Sequence, residues 1–175
     1  MLAVFKRELK SYFTSPTGYI LLSLYFFFTG IFFTQVFSYG VADATYVILN
    51  TVLLLIIVIP LLTMRLMSED RRQKVDQALF TAPVSLTKIV LGKYFAAFAM
   101  FGLCNSLFIV YQIILSVYVN MNWLYFLNCL LGYMLVGAGL IAMGMFVSSL
   151  TESPIISFII TAALLTIRFS LCISS

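Results

Sequence analysis

The chain contains charge-free stretches far too long for the interior of a water-soluble domain. Residues 11–42, 44–64 and 94–151 carry no Asp, Glu, Lys or Arg, and the last of these runs for 58 residues. A helix needs about 20 apolar residues, rising 1.5 Å each, to cross the hydrocarbon of a bilayer. The first stretch therefore predicts a span over residues 18–39, the second a span over 45–64, and the third two spans, 94–117 and 124–147. The last two divide at "YVNMNW", where asparagines and aromatics suit an interfacial turn. A fifth span, 154–173, opens at "ESP", with Ser153 placed to cap it and Pro154 at its first helical position. The expected fold is all-α: one polytopic transmembrane helix bundle over residues 1–175. An apolar content of 63% supports this, since soluble domains hold about 45–50%.

Orientation follows from the Lys and Arg residues, which collect in segments facing the cytoplasm. Lys6, Arg7 and Lys10 precede the first span, and Arg65, Arg71, Arg72, Lys74, Lys88 and Lys93 fill the link between the second and third. The intervening links hold only Asp43 and no charge at all, so both basic segments are expected inside, with the N-terminus cytoplasmic. The first apolar run exceeds the roughly 7–15 residues of a signal peptide and no small-x-small site follows it, so it is read as a span. Only 15 uncharged residues, 153–167, precede Arg168 in the fifth span, and a side chain there is expected to snorkel to the outer interface.

Ahead of the first span, "MLAVFKRELKSYFTSP" places Leu2, Phe5, Leu9, Tyr12 and Phe13 on one side of a helix and Lys6, Arg7 and Lys10 largely opposite. That pattern predicts an amphipathic helix over residues 1–16, lying in the inner interface and ended by Pro16.

The link "SEDRRQKVDQALFTAPVS" stands out by its charge: six of the chain's sixteen charged residues fall within 69–76. Ser68 can cap a helix, and Glu69 and Asp70 in the first turn suit its dipole. Asp70/Lys74 and Arg72/Asp76 are i,i+4 pairs, and Val75, Ala78, Leu79 and Ala82 form an apolar stripe. Pro83 stops the helix, and Ser85 can cap the next one, which re-enters the membrane. A short amphipathic helix, a sharp corner and a returning helix are expected.

"PLLTMRLMSEDRRQKVDQALFTAPVSLTKIVLGKY" resembles the ABC-2 family of ABC transporter permeases, especially its gliding-motility-type branch. The acidic pair followed by basic residues, then "L-x-x-(S/T)-x-P-(V/I)-S" and "I-V-x-G-K", match that family's link between spans two and three. "FKRELKSYFTSPTGYI" is similar to the family's opening, and "FVSSLTESPIISFIIT" to its segment before span five. The resemblance implies a permease subunit of the bacterial cytoplasmic (inner) membrane that pairs, as a dimer, with a second permease copy or a related permease. It also implies docking on cytoplasmic ABC ATPase subunits through a coupling helix in this link. Carried over residue by residue, the ATPase contact comprises Glu69, Asp70, Arg71, Arg72, Leu79, Phe80, Thr81, Pro83 and Ser85. The family has six spans against five here, so the chain is expected to be a C-terminally shortened member.

No phosphate-binding GxxxxGK[ST] loop occurs, so ATP and Mg are expected through the partner ATPase and no cofactor is bound directly. There is no His, no HExxH and no GxSxG, and Cys104, Cys129 and Cys172 lie far apart and read as small buried hydrophobes. Catalytic and metal residues are therefore expected to be absent, and the chain is expected not to be an enzyme. A membrane-embedded hydrolase or transferase lacks its constellation, since Asp43 and Glu152 fall on opposite sides of the membrane. The basic residues sit at the ends of apolar runs, which argues against a nucleic-acid surface. A non-catalytic structural or assembly subunit of a membrane complex is the alternative. Within the spans, Gln35, Asn50, Asn105, Gln112 and Asn128 are read as bonding between helices ahead of lining a path. Gly132, Gly137, Gly139 and Gly144, with Ala138 and Ala142, predict a face for close helix packing. The aromatics of "LYFFFTGIFF" are expected mostly against lipid or a partner subunit.

Overall fold

In the computed structural model, residues 2–39, 44–64, 66, 86–118, 122–151 and 153–174 are described. The order of elements is α1 (Leu2–Thr14), α2 (Pro16–Tyr39), α3 (Ala44–Thr51), a 3-10 turn (Val52–Leu54), α4 (Leu55–Thr63), α5 (Leu86–Ser116), α6 (Trp123–Leu150) and α7 (Pro154–Ser174). No strand occurs among the described residues. Among the described residues, four segments are long and apolar enough to cross a membrane: Pro16–Val36, Thr45–Thr63, Ile89–Ser116 and Trp123–Leu150. They are called spans one to four, and a shorter apolar helix, Pro154–Ile167, follows them. The molecule is thus an all-α polytopic bundle. A backbone in hydrocarbon must satisfy its polar groups internally, which helices alone achieve here.

Span two is the centre of the bundle. More than half of it is buried, 56%, against 22% of span one and 28% of span four. Its α4 segment packs on α6 and α7 as well as on α2, and α3 packs on α2, α5 and α6. Leu54, Leu55, Val58, Ile59 and Leu62 sit in the core with Met100, Phe101, Cys104 and Phe108 of span three and Tyr133 and Ile141 of span four. Span two is not one regular helix. A 3-10 turn interrupts it at Val52–Leu54, and Pro60 leaves the Ile56 carbonyl without its helical donor. Hydroxyls inside the bundle bond to their own helices: Thr29, Thr51, Thr63 and Thr161 each donate to the carbonyl four residues back.

Three local features differ from the sequence reading. Span three starts well before residue 94, because α5 begins at Leu86 and carries Lys93 inside it. A charge marks a boundary in a hydropathy reading, but Lys93 finds partners and the helix continues through it. On α1, the side turned to the bundle is Val4, Phe5, Glu8, Leu9 and Tyr12, while Phe13 is 37% exposed. The apolar stripe of that helix is shared between the bundle and its surroundings, so the buried side is turned toward Glu8. In span one, Tyr25 is fully buried and Phe28, Phe32 and Phe33 are half-buried, so the aromatics divide between core and outer surface.

Candidate functional site

Every residue assigned above to an ATPase contact, Glu69, Asp70, Arg71, Arg72, Leu79, Phe80, Thr81, Pro83 and Ser85, lies outside the described residues. Arg168 and Cys172 have no described side chain. What the structure places is the pair of roots from which that link departs and to which it returns: Leu66 at the close of span two, and the first turns of α5.

These roots are built from three helices. α1 ends at Thr14 and α2 begins at Pro16, where a missing N–H costs nothing because the first turn of a helix leaves it unused. The bend between them brings the Tyr12 backbone against Gly18: a Cβ on Gly18 would lie 1.9 Å from the Tyr12 carbonyl oxygen. Only glycine permits that approach. So held, α1 lies along the start of α5, its most extensive contact. The Tyr12 phenol donates to the Leu62 carbonyl at 2.8 Å. Burial, and after it the neighbouring Glu8 carboxylate, hold that phenol neutral well above its usual range.

Lys93 is 1% exposed, and its ammonium donates to the Leu66 carbonyl. The Glu8 carboxylate lies 3.9 Å from the same ammonium and accepts a 2.8 Å hydrogen bond from Arg7. A buried ammonium costs several kcal/mol unless compensated. Here a carbonyl just past the end of α4 and a carboxylate supply that compensation. Span four joins the cluster through Ser148, whose hydroxyl reaches the Met64 carbonyl at 3.4 Å. Three carbonyls near the close of span two, those of Leu62, Met64 and Leu66, thus receive side-chain donors from α1, α6 and α5.

Within the bundle the predicted polar residues have separate fates. Asn105 is buried and accepts from the Tyr25 phenol through Oδ1, while its Nδ2 donates to the Phe101 carbonyl at 2.9 Å. Asn50 donates to the Tyr46 carbonyl of its own helix at 2.8 Å. Asn128 is exposed and Gln35 half-buried. Gln112 is fully buried, and neither polar atom of its amide has a partner among the described residues. The four glycines of span four do not share one face. A Cβ on Gly137 would meet the Phe101 ring at 2.2 Å, and one on Gly144 would meet Thr63 at 2.4 Å. Gly132 and Gly139 meet no atom within 4 Å. Among the described residues, no three His, Cys, Asp or Glu side chains gather as a metal site requires.

Sequence reasoning did not single out Glu8 or the close approach at Gly18. The signal for Glu8 was present: a carboxylate one turn from Tyr12 and three residues from Phe5, on the apolar side of its helix. Gly18, inside "TSPTGY", reads as an ordinary junction residue until the backbone contact is seen.

A family model described as ABC-2 family transporter protein matches residues 10–168. The chain belongs to the ABC-2 transporter family. The match opens within α1 and closes within α7, so this ABC-2 protein carries the braced roots, the link between them and all four spans inside the matched region. No curated protein and no solved structure matches the chain. Members of the ABC-2 family are membrane transport components that generally work with an ABC ATPase.

Proposed function

We propose that this ABC-2 protein is the permease subunit of an ABC transporter and that residues 68–85 receive its cytoplasmic ATPase. The observation that carries this reading is the bracing of both roots of that link by α1, α5 and α6. A loop that served only to orient the spans would need no such support. A segment that takes a mechanical load from a partner needs roots whose movement is passed to the spans. Glu69, Asp70, Arg71 and Arg72 supply the charged rim, and Leu79, Phe80, Thr81, Pro83 and Ser85 the apolar end and corner. ATP and Mg reside in the partner, and transport needs a second permease copy beside this one. The Lys and Arg distribution supports a cytoplasmic N-terminus, with the basic outer face of α1 (Lys6, Arg7, Lys10) against lipid headgroups. The link motifs favour the gliding-motility-type branch and a bacterial inner membrane.

Phe80, large, apolar and just before the proline corner, is the anchor of this interface. Losing such an anchor costs about 2 kcal/mol, roughly thirtyfold in affinity. Phe80→Ala is expected to reach the membrane at the wild-type level and to capture far less ATPase in a pull-down. Equal recovery by the two proteins would remove this reading.

A further inference from the structure

The link between spans two and three leaves after Leu66 and returns at Leu86, and α1 makes one contact near each point. On the leaving side, Tyr12 donates to Leu62, one turn before Leu66. On the returning side, Glu8 faces Lys93, two turns into α5, and Lys93 itself reaches across to the Leu66 carbonyl. Glu8 and Tyr12 are four residues apart, so one side of one helix makes both contacts. The chain of contacts then continues into span one, because the Tyr12 backbone rests directly on Gly18.

We infer that α1 is a clamp on the two roots of the link, and that Glu8 is its positioning residue, making spans one and three move together when the link is displaced. The inference rests on the reading of 68–85 as the ATPase contact for its role in transport, though not for its geometry. Apolar packing alone would fill the Lys93 site without the cost of burying a charge, and buried pairs are often neutral or worse for stability. What a charge adds is direction. The ammonium has a carbonyl on one root and a carboxylate on α1, and both are satisfied in one register of α1 against the bundle. At 3.9 Å the Glu8–Lys93 contact is electrostatic, without hydrogen-bond geometry, so it can tighten or open by a small shift. Displacement of either root therefore changes the energy of the same pair. That coupling is what passes movement from the link to span one.

The test uses the full chain in lipid nanodiscs, with spin labels at two introduced cysteines, Tyr19→Cys at the exposed start of span one and Thr87→Cys at the exposed start of α5. Labels go into a background in which the three native cysteines are replaced. In the clamped protein the distance distribution between the labels is narrow. Glu8→Gln is expected to broaden it at least twofold, on the order expected when a coupling contact is lost, and the charge swap Glu8→Lys with Lys93→Glu to restore it. A distribution unchanged by Glu8→Gln overturns the clamp, as does a swap that broadens it further. If Glu8→Gln fails to reach the membrane, recovery of membrane levels by the swap supports the pairing, and failure of the swap overturns it. The same variants, co-expressed with the ABC ATPase, separate this inference from the reading beneath it. Glu8→Gln should retain ATPase capture within about twofold yet lower ATP turnover of the complex by roughly tenfold, within the range of ordinary coupling energies. Loss of capture along with turnover would make Glu8 part of the docking surface and overturn its positioning role. Wild type that captures no ATPase would defeat the reading of 68–85, and the label distances would still judge the clamp.

Discussion

At the link side of the bundle, three carbonyls near the close of span two receive donors from three other helices. At the far side, the amide of Gln112 is buried beside Phe108 and Leu115 with neither polar atom paired. Among the described residues the first end shows directional contacts and the second ring stacking: Phe33 stacks on Tyr111 with ring centroids 4.3 Å apart, and Val36, Val47, Ile48, Leu115 and Phe126 belong to the same buried cluster. Between helices in lipid there is no hydrophobic driving force, so close packing and hydrogen bonds carry association. The two ends use these terms in opposite proportion. Directional contacts specify one arrangement, while an amide buried without a partner among the described residues carries an internal cost.

The largest effect that can break this comparison lies at Gly18. Its Cβ would stand 1.9 Å from a backbone oxygen, which cannot move without shifting α1. Gly18→Ala is expected to cost about 3 kcal/mol, at the upper end of overpacking penalties, and to lower the thermal midpoint in detergent accordingly. Gly132→Ala, which meets no atom within 4 Å, serves as the control. It should change stability by no more than about 0.5 kcal/mol, apart from the small gain alanine brings to a helix. Equal midpoints for the two variants would show that the seat of α1 contributes nothing to stability.

How much of this was legible in the sequence differs between the two ends as well. The spans were, because absence of charge over about 20 residues has one physical solution in a membrane. The start of span three was not, because Lys93 reads as the edge of a span until its partners are known. Those partners are a carbonyl 27 residues earlier in the chain and a carboxylate on α1. Neither is implied by local pattern. Asn105 and Gln112, seven residues apart on α5, look alike in sequence and end differently, since only Asn105 faces a phenol. In span four, the glycine face expected for packing resolves into Gly137 and Gly144 against Phe101 and Thr63, with Gly132 and Gly139 turned away. Period alone could not choose between them without the positions of spans two and three. The link, which carries the clearest motifs, is where the sequence speaks most and the described residues not at all.

A second prediction concerns the far side and has the opposite sign from most core substitutions. Burying an amide without a hydrogen bond costs about 1–3 kcal/mol by protein mutational data, and leucine is close to glutamine in volume. Gln112→Leu should therefore raise stability by about 1 kcal/mol or more, seen as a higher midpoint in the same thermal assay. Asn105→Leu, which removes a paired group and strands the Tyr25 phenol, should lower it. If both substitutions destabilise, Gln112 has a partner in the working protein, and the far side is as directionally held as the link side.

The smallest effect is the sharpest test of the link side, because its size and its pH dependence are both fixed by one hydroxyl. Tyr12→Phe removes the 2.8 Å hydrogen bond to Leu62 and little else. Hydrogen bonds between membrane helices average about 0.6 kcal/mol, so at pH 8 the variant should be less stable by that amount. The phenol is held neutral in the folded protein, first by burial and then by Glu8. A folded acid whose pKa is raised above its unfolded value contributes fully below the unfolded value and loses that contribution as pH rises past it. For tyrosine the unfolded value is about 10. Wild type should accordingly lose stability above about pH 10 through the ionisation of Tyr12 in the unfolded chain, a loss that the Tyr12→Phe variant cannot suffer. The other tyrosines titrate equally in both proteins and cancel. The difference between them should close at about pH 10.2, where the ionisation term reaches about 0.6 kcal/mol, and reverse above it. A difference that stays constant from pH 8 to 11 would mean that Tyr12 is open to water, and α1 would then be resting on the bundle without being locked to it.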